Sequence, residues 1–342
     1  MTFQVTISPS GRRFDCEADE TVLAAALRAK LILPYGCKNG ACGSCKGVIT
    51  SGTVQHGAHQ QKALSDEEVA QGSAIFCCAL PQSDLTIVAR EMLADDDYPI
   101  KKMPARIAKL EKLADDVMLI ALQLPAVETL NYRAGQYIEF ILKGGKRRSY
   151  SLANAPHIEQ PLTLHVRHMA GGLFTDQVFS TLKERDIVRF EGPFGSFFLR
   201  EDSDKPMILL ASGTGFAPIK ALVEQMIALG SQRPMHLYWG GRRPQDLYMQ
   251  ALCEEWQAAL PQLKYIPVIS DAAPEDQWQG RTGFVHQAVL ADHTDLSGFQ
   301  VYACGAPIVI ESARRDFVAQ CGLLLEEFFA DSFTSEADNK EG

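Results

Sequence analysis

Gly36-Cys37-Lys38-Asn39-Gly40-Ala41-Cys42-Gly43-Ser44-Cys45 sets three cysteines in ten residues, and Phe76-Cys77-Cys78-Ala79-Leu80-Pro81 supplies a fourth further on. The resulting C-x4-C-x2-C…C spacing suits four thiolates holding a [2Fe–2S] cluster. Three sulfurs can reach one small anionic cluster from so short a loop only if the backbone turns tightly and aims N–H groups at the sulfurs. Gly36, Gly40, Ala41 and Gly43 allow that. A structural zinc site prefers paired C-x-x-C knuckles, and reduced core cysteines would not crowd into a glycine loop. The fourth ligand is either Cys77 or Cys78. Before the loop, Gln4 to Ile7 and Arg13 to Cys16 read as a hairpin across Pro9-Ser10-Gly11, and Thr21 to Ala29 as a helix. His56 and His59 read as solvated loop histidines.

Working outward, 342 residues with 46% hydrophobic content exceed one typical domain. Three are expected: residues 1–95 around the cysteine loop, a linker at 96–104, a second domain at 105–203, a third at 204–334, and a polar tail at 335–342. The linker boundary rests on three consecutive aspartates followed by Pro99 and Pro104. A formal net charge of −9 argues against nucleic acid as a partner. Of nine cysteines, four belong to the cluster and five are scattered without pairable spacing, which fits a reducing compartment. No run of eighteen apolar residues occurs, and the start lacks a signal-peptide pattern. A cytoplasmic protein with no membrane attachment is expected.

From Ala105 to Arg200 the chain reads as short strands between Gly and Pro turns: 105–110, 117–122, 137–142, 162–168 and 187–191. Such a series suggests a small antiparallel barrel. From Pro206 the period changes. Strands at 207–211, 235–239, 265–270 and 301–304 alternate with helices at 218–229, 246–259 and 307–320, which predicts a doubly wound parallel sheet.

Each of these two blocks carries a binding pattern. In the barrel block, Gly171-Gly172-Leu173-Phe174-Thr175 precedes a helix, where glycine N–H groups and the Thr175 hydroxyl can approach a phosphate. In the parallel block, Leu210-Ala211-Ser212-Gly213-Thr214-Gly215-Phe216-Ala217-Pro218 runs from strand through glycine turn into helix, a cradle for a dinucleotide pyrophosphate. Cys304-Gly305-Ala306-Pro307 ends a strand at the sheet's C-terminal edge, where ligands bind in such folds.

Arg148-Ser149-Tyr150-Ser151 is the R-x-Y-S pattern of the ferredoxin–NADP reductase superfamily, and through it the whole chain resembles the single-chain reductases of bacterial multicomponent systems. These include the benzoate, phenol and methane oxygenase reductases. From Lys38 to Gly47 and from Phe76 to Ala79 the chain is most similar to the CDP-6-deoxy-Δ3,4-glucoseen reductase group. The resemblance implies a β-grasp ferredoxin domain, an antiparallel flavin-binding β-barrel and a doubly wound nicotinamide-binding domain, a multidomain α+β and α/β architecture. It implies that Cys77 joins Cys37, Cys42 and Cys45 as the fourth ligand, with Cys78 a buried apolar residue. Arg148 would bind the flavin diphosphate, Tyr150 pack along the ring, and Ser151 reach the flavin N5. Cys304 would lie beside the nicotinamide, and Pro218 marks the superfamily's variant of the glycine turn. FAD is implied over FMN. Phe333, in Phe328-Phe329-Ala330-Asp331-Ser332-Phe333, would shield the ring, although Phe328 and Phe329 equally suit the sheet core. Glu327 and Asp331 are candidate acids.

Coenzyme choice turns on one position. Relatives specific for NADP carry a basic pair after the strand ending at Ser270, to grip the 2′-phosphate. This chain has Asp271, which favours NADH over NADPH, with Arg242 and Arg243 as the opposing candidates. The implied activity passes electrons from NADH through FAD to the cluster and on to a protein acceptor, either a dehydrase or an oxygenase component. It converts two-electron into one-electron transfer. A redox sensor would not need the flavin and nicotinamide motifs, all of which are present.

Overall fold

The computed structural model describes residues 1–93, 98–157 and 161–333. The expected tail 335–342, and residues 96 and 97 of the expected linker, lie outside the described residues. The chain forms two units, one built on residues 1–93 with 195–197 and 332–333, the other on Tyr98–Phe194 and Phe198–Asp331.

In the first unit, β1 (Thr2–Ser8) and β2 (Arg13–Glu17) form the expected hairpin. Val5 and Ile7 alternate inward on β1, and Phe14 and Cys16 on β2. α1 (Val22–Arg28) starts where the Thr21 hydroxyl accepts the Ala24 N–H at 3.3 Å. There follow β3 (Leu31–Ile32), β4 (Lys46–Ser51), β5 (Val54–His56), α2 (Asp66–Ala70), β6 (Ser73–Ile75), β7 (Ala79–Pro81), β8 (Leu85–Val88) and β9 (Met92–Leu93). The main sheet runs β2-β1-β8-β4-β6, with β1 parallel to β8. The cysteine loop lies between β3 and β4, and Cys77 just before β7.

The second unit opens with β10 (Lys101–Ala114), so 101–104, expected in the linker, are sheet. Met103 and Ala105 continue the inward alternation of Ile107. Pro104 is tolerated because β10 is paired there on one side only. β11 (Val117–Gln123), β12 (Tyr137–Ile141), β13 (Arg147–Ser151), β14 (Leu162–Arg167), α3 (Thr175–Ser180) and β15 (Ile187–Phe194) follow. The strands order β13-β12-β15-β10-β11-β14, all antiparallel, and a bridge from Leu152 to Leu164 joins the two ends into a barrel. Its core is the inward set Ile107, Ile120, Leu122, Ile138, Phe140, Leu164, Val166 and Phe190. The R-x-Y-S segment is itself the strand β13.

β16 (Met207–Ser212) then starts the parallel sheet, and its continuous apolar run is buried on both faces. α4 (Phe216–Ala228), β17 (Met235–Gly241), α5 (Gln250–Ala259), β18 (Leu263–Ile269), β19 (Arg281–Thr282), α6 (Val285–Asp292), β20 (Gln300–Gly305), α7 (Pro307–Cys321) and β21 (Phe328–Ser332) complete it. The order β19-β18-β17-β16-β20-β21 reverses direction between β16 and β20. In doubly wound sheets ligands bind at such a switch point, outside the strands' carboxyl ends. α5 starts four residues later than the expected 246, because the Asp246 carboxylate instead accepts the Arg242 N–H at 2.8 Å and closes a short turn. α6 was not expected. Phe328 and Phe329 lie on a sheet strand, with Phe329 stacked on Tyr302 at 4.8 Å between ring centres.

Candidate redox sites

In the cysteine loop the thiols fall into two pairs. Cys37 hydrogen-bonds Cys42, and Cys45 hydrogen-bonds Cys77. The Cys37 sulfur also receives the N–H of Cys42 at 3.3 Å and those of Asn39 and Ala41. The Cys42 sulfur receives the N–H of Cys37 at 3.4 Å, and the Cys77 sulfur that of Gly40. These are the inward N–H groups that an anionic cluster requires. Among the described residues no three His, Cys, Asp or Glu gather around a single-ion site. Two thiol pairs suit a binuclear cluster, in which each iron takes two thiolates. Gly40 has φ +80°, and a Cβ there would stand 2.7 Å from the Ala58 carbonyl and 2.9 Å from the Cys78 sulfur, so glycine is required. Cys78 packs behind the loop against Gly40, 3.6 Å from the Cys77 sulfur. His56 and His59 are half-buried, and His59 bonds the Gly57 carbonyl at 2.8 Å.

In the second unit, β13 places Arg148 and Tyr150 on one face and Ser151 on the other. Tyr150 packs against Phe140 and Phe174, at 5.8 and 5.4 Å between ring centres. Phe174 thereby brings the Gly171–Thr175 loop beside the R-x-Y-S strand. Within that loop the Thr175 hydroxyl donates to the Met169 carbonyl at 2.9 Å, and the Gly171 N–H donates to Asp176 at 3.1 Å. A Cβ on Gly172 would collide with the Thr175 hydroxyl.

Gly213, Thr214 and Gly215 form a 3-10 turn leading into α4, with Pro218 buried in the helix's first turn, where its missing N–H costs nothing. The turn has a built support. Trp239 donates its indole N–H to the Gly213 carbonyl at 3.0 Å and stacks on Phe216 at 3.8 Å. A Cβ at Gly215 would collide with the Cys304 carbonyl, and one at Gly305, φ +136°, would lie 2.5 Å from the Ser212 carbonyl. The ends of β16 and β20 thus touch backbone to backbone, and the glycines serve that contact directly.

Ser151 meets this corner. Its hydroxyl lies 3.5 Å from the carboxylate of Asp331 on β21. Burial raises the Asp331 pKa to about 7, opposed by the Ser151 hydrogen bond. Cys304 is fully buried, and desolvation, with the nearby Asp331 charge, lifts its thiol pKa far above the ordinary value, so it stays neutral. Asp331 is thus the group common to Ser151, through the hydroxyl contact, and Cys304, through its charge. Glu327, the other candidate acid, is instead bonded to Lys205 at 2.7 Å and Gln300 at 2.8 Å. Phe333 is half-buried and falls with the first unit.

At the far end of the sheet edge, Asp271 is exposed and its N–H donates to the Arg242 carbonyl at 2.9 Å. Both opposing arginines are occupied. Arg243 binds Asp276 at 2.7 Å and Glu275 at 3.1 Å, and Arg242 leans on Asp246 at 3.3 Å. Arg148 is half-buried, with its guanidinium donating to the Arg147 carbonyl at 2.6 Å.

Comparison with known proteins agrees with this geometry. Residues 5–82 match the 2Fe-2S iron-sulfur cluster binding domain, 104–199 the oxidoreductase FAD-binding domain, and 209–315 the oxidoreductase NAD-binding domain. The chain is 40% identical to the CDP-6-deoxy-L-threo-D-glycero-4-hexulose-3-dehydrase reductase of Yersinia pestis, over 97% of this chain and 99% of that protein. It is 35% identical to terephthalate 1,2-dioxygenase reductase component 2 of Comamonas sp, over 98% of each. The crystal structure of an Amycolatopsis cytochrome P450 reductase superposes with TM-score 0.76 and 34% identity, covering 98% of this chain and 99% of that one. The chain belongs to this family of single-chain flavin iron–sulfur reductases. It is an NAD(P)H-dependent oxidoreductase whose cofactors are a [2Fe–2S] cluster, FAD and a nicotinamide coenzyme, and it serves a protein electron acceptor. Among the described residues no helix is long and apolar enough to cross a membrane.

Proposed function

We propose that this chain takes electrons from NADH and delivers them to a sugar-nucleotide 3-dehydrase acting on a CDP-6-deoxy-4-hexulose. The observation that carries the acceptor is 40% identity to a reductase of such a dehydrase, sustained over 97% of the chain. An oxygenase component is the second reading, favoured by the nearly equal coverage of the terephthalate dioxygenase reductase at 35% identity.

Placement supports the following residue roles. Bound coenzyme and flavin exchange a hydride, and the cluster carries single electrons. The Gly213–Pro218 turn and Gly305 form the corner on which the coenzyme lies, and Cys304 gives it an uncharged, close-packed wall. Ser151 presents its hydroxyl to the flavin edge, and Asp331 behind it can hold or release a proton near neutral pH. Arg148 supplies charge to the flavin diphosphate, and Tyr150 packs beside the ring. Gly171, Gly172 and Thr175 shape the loop that backs this strand. Cys37, Cys42, Cys45 and Cys77 hold the cluster. Asp271 repels a 2′-phosphate, and the carboxylates on Arg242 and Arg243 keep those cations from reversing the preference.

The test is reconstitution of the purified protein with NADH and either the dehydrase or a terminal oxygenase. Turnover with the dehydrase alone supports the proposal. Turnover only with the oxygenase overturns it.

A further inference from the structure

We infer that Lys220 and Glu224 are positioning residues that set the coenzyme turn against the flavin strand. Both sit on α4, the helix that leaves the Gly213–Gly215 turn, one helical turn apart on the same side. Lys220 is only 9% exposed, in a stretch of α4 that is otherwise apolar from Phe216 to Val223. Its ammonium donates to the Ala153 carbonyl at 2.9 Å and to the Glu224 carboxylate. The other oxygen of Glu224 accepts the Ala155 N–H at 3.0 Å.

Ala153 and Ala155 lie two and four residues after Ser151. The segment between them is held from its other side as well, with the Ala153 N–H on the Thr163 carbonyl at 2.8 Å and the Tyr132 hydroxyl on the Asn154 carbonyl at 2.9 Å. The pair therefore fastens one rigid element, the helix that carries the coenzyme turn, to a second, the strand end that carries Ser151. Burying two charges is unfavourable unless each is paired and hydrogen-bonded, and here both are. A lysine long enough to reach an open carbonyl, with a carboxylate to take the next open N–H, fixes both the spacing and the register of the two elements, which an apolar contact would leave free to slide.

Hydride transfer depends steeply on the approach of donor and acceptor, so a device at this place acts on the transfer step more than on binding. The inference rests on the proposed roles of Ser151 and the Gly213–Pro218 turn. The experiment uses the flavin- and cluster-loaded protein with Lys220→Met, and with the double variant Lys220→Met/Glu224→Gln, which leaves no lone buried charge if the single variant fails to load flavin. Anaerobic stopped-flow measures the flavin-bleaching rate with NADH and with NADH deuterated at the transferred position. Titration measures NAD+ affinity, and amide exchange without coenzyme follows residues 152–156. The expected result is hydride transfer slowed about 10- to 100-fold with an altered isotope effect, NAD+ affinity nearly unchanged, and lost protection of the Ala155 amide. Wild-type transfer rates in flavin-loaded variants would overturn the inference, as would a rate loss matched by an equal loss of NAD+ affinity. If the unmodified protein's flavin were not reduced by NADH, the proposed function itself would fail instead.

Discussion

Three of the four proposed cluster thiols in the first unit lie within ten residues, whereas the corner around Ser151 in the second unit is assembled from residues 151, 215, 304 and 331. The cysteine loop needs little beyond its own glycines and N–H groups. The Ser151 corner exists only because a barrel strand, two strand ends at a topological switch and a final strand arrive together. A local site of the first kind tolerates change elsewhere and fails completely when a ligand goes. An assembled site of the second kind fails by degrees, each contributing element altering a rate, an affinity or a pH profile.

The sharpest way to break that contrast is at Cys77. Cys77→Ser is expected to abolish the visible spectrum of the cluster while leaving flavin bound, and Cys78→Ser to preserve both. A native cluster in Cys77→Ser, with loss in Cys78→Ser, would reverse the ligand assignment and undo the reading of two thiol pairs.

At the assembled site, Arg148→Ala should weaken flavin retention by about 1.5–3 kcal/mol, the worth of a hydrogen bond to a charged group. Equilibrium dialysis of flavin against the variant measures this, and wild-type affinity would remove Arg148 from the diphosphate.

Asp331 offers a finer probe. Burial raises its pKa to about 7 in the fold, well above the ordinary aspartate value. The folded protein therefore keeps a proton that the unfolded chain releases near pH 4. The stability this gives is complete below that point and lost as pH rises through about 7, with a slope up to about 1.4 kcal/mol per pH unit in between. Asp331→Asn should flatten the fall of Tm between pH 5 and 7 and remove a titration near pH 7 from the NADH reduction rate. Identical profiles in both proteins would show that Asp331 does not titrate there.

The smallest expected effect is at the coenzyme edge. Asp271→Arg should narrow the NADH over NADPH ratio of kcat/KM by about tenfold, since a charge-assisted contact is worth about 1.5–3 kcal/mol when buried and less when exposed. If the unmodified protein prefers NADPH, Arg242 or Arg243 governs the choice despite their carboxylate partners.

What could be read from the chain alone follows the same division. The cysteine spacing, the R-x-Y-S strand and the Gly213 turn are each contiguous, so their residue types announce them. The strand at 101–104 was hidden because Pro104 argues for a linker until one sees that β10 is paired there on one side only, which leaves room for a residue without an N–H. The late start of α5 was hidden because Asp246 spends its carboxylate on the backbone of Arg242, which periodicity does not register. Asp331 could be named as a candidate acid but not chosen over Glu327, since only the fold brings one to Ser151 and the other to Lys205. Lys220 and Glu224 did leave a trace, a charged pair four residues apart inside an apolar helix. Their partners, two backbone groups in the segment that follows β13, have no sequence signature at all.

The order of electron flow is measured by anaerobic stopped-flow absorbance after mixing with NADH, following flavin and cluster bleaching separately. Flavin bleaching is expected first, with cluster bleaching after it, and protein stripped of its cluster is expected still to bleach rapidly at the flavin wavelengths. Cluster bleaching that precedes the flavin, or that persists undiminished in flavin-free protein, would contradict that order.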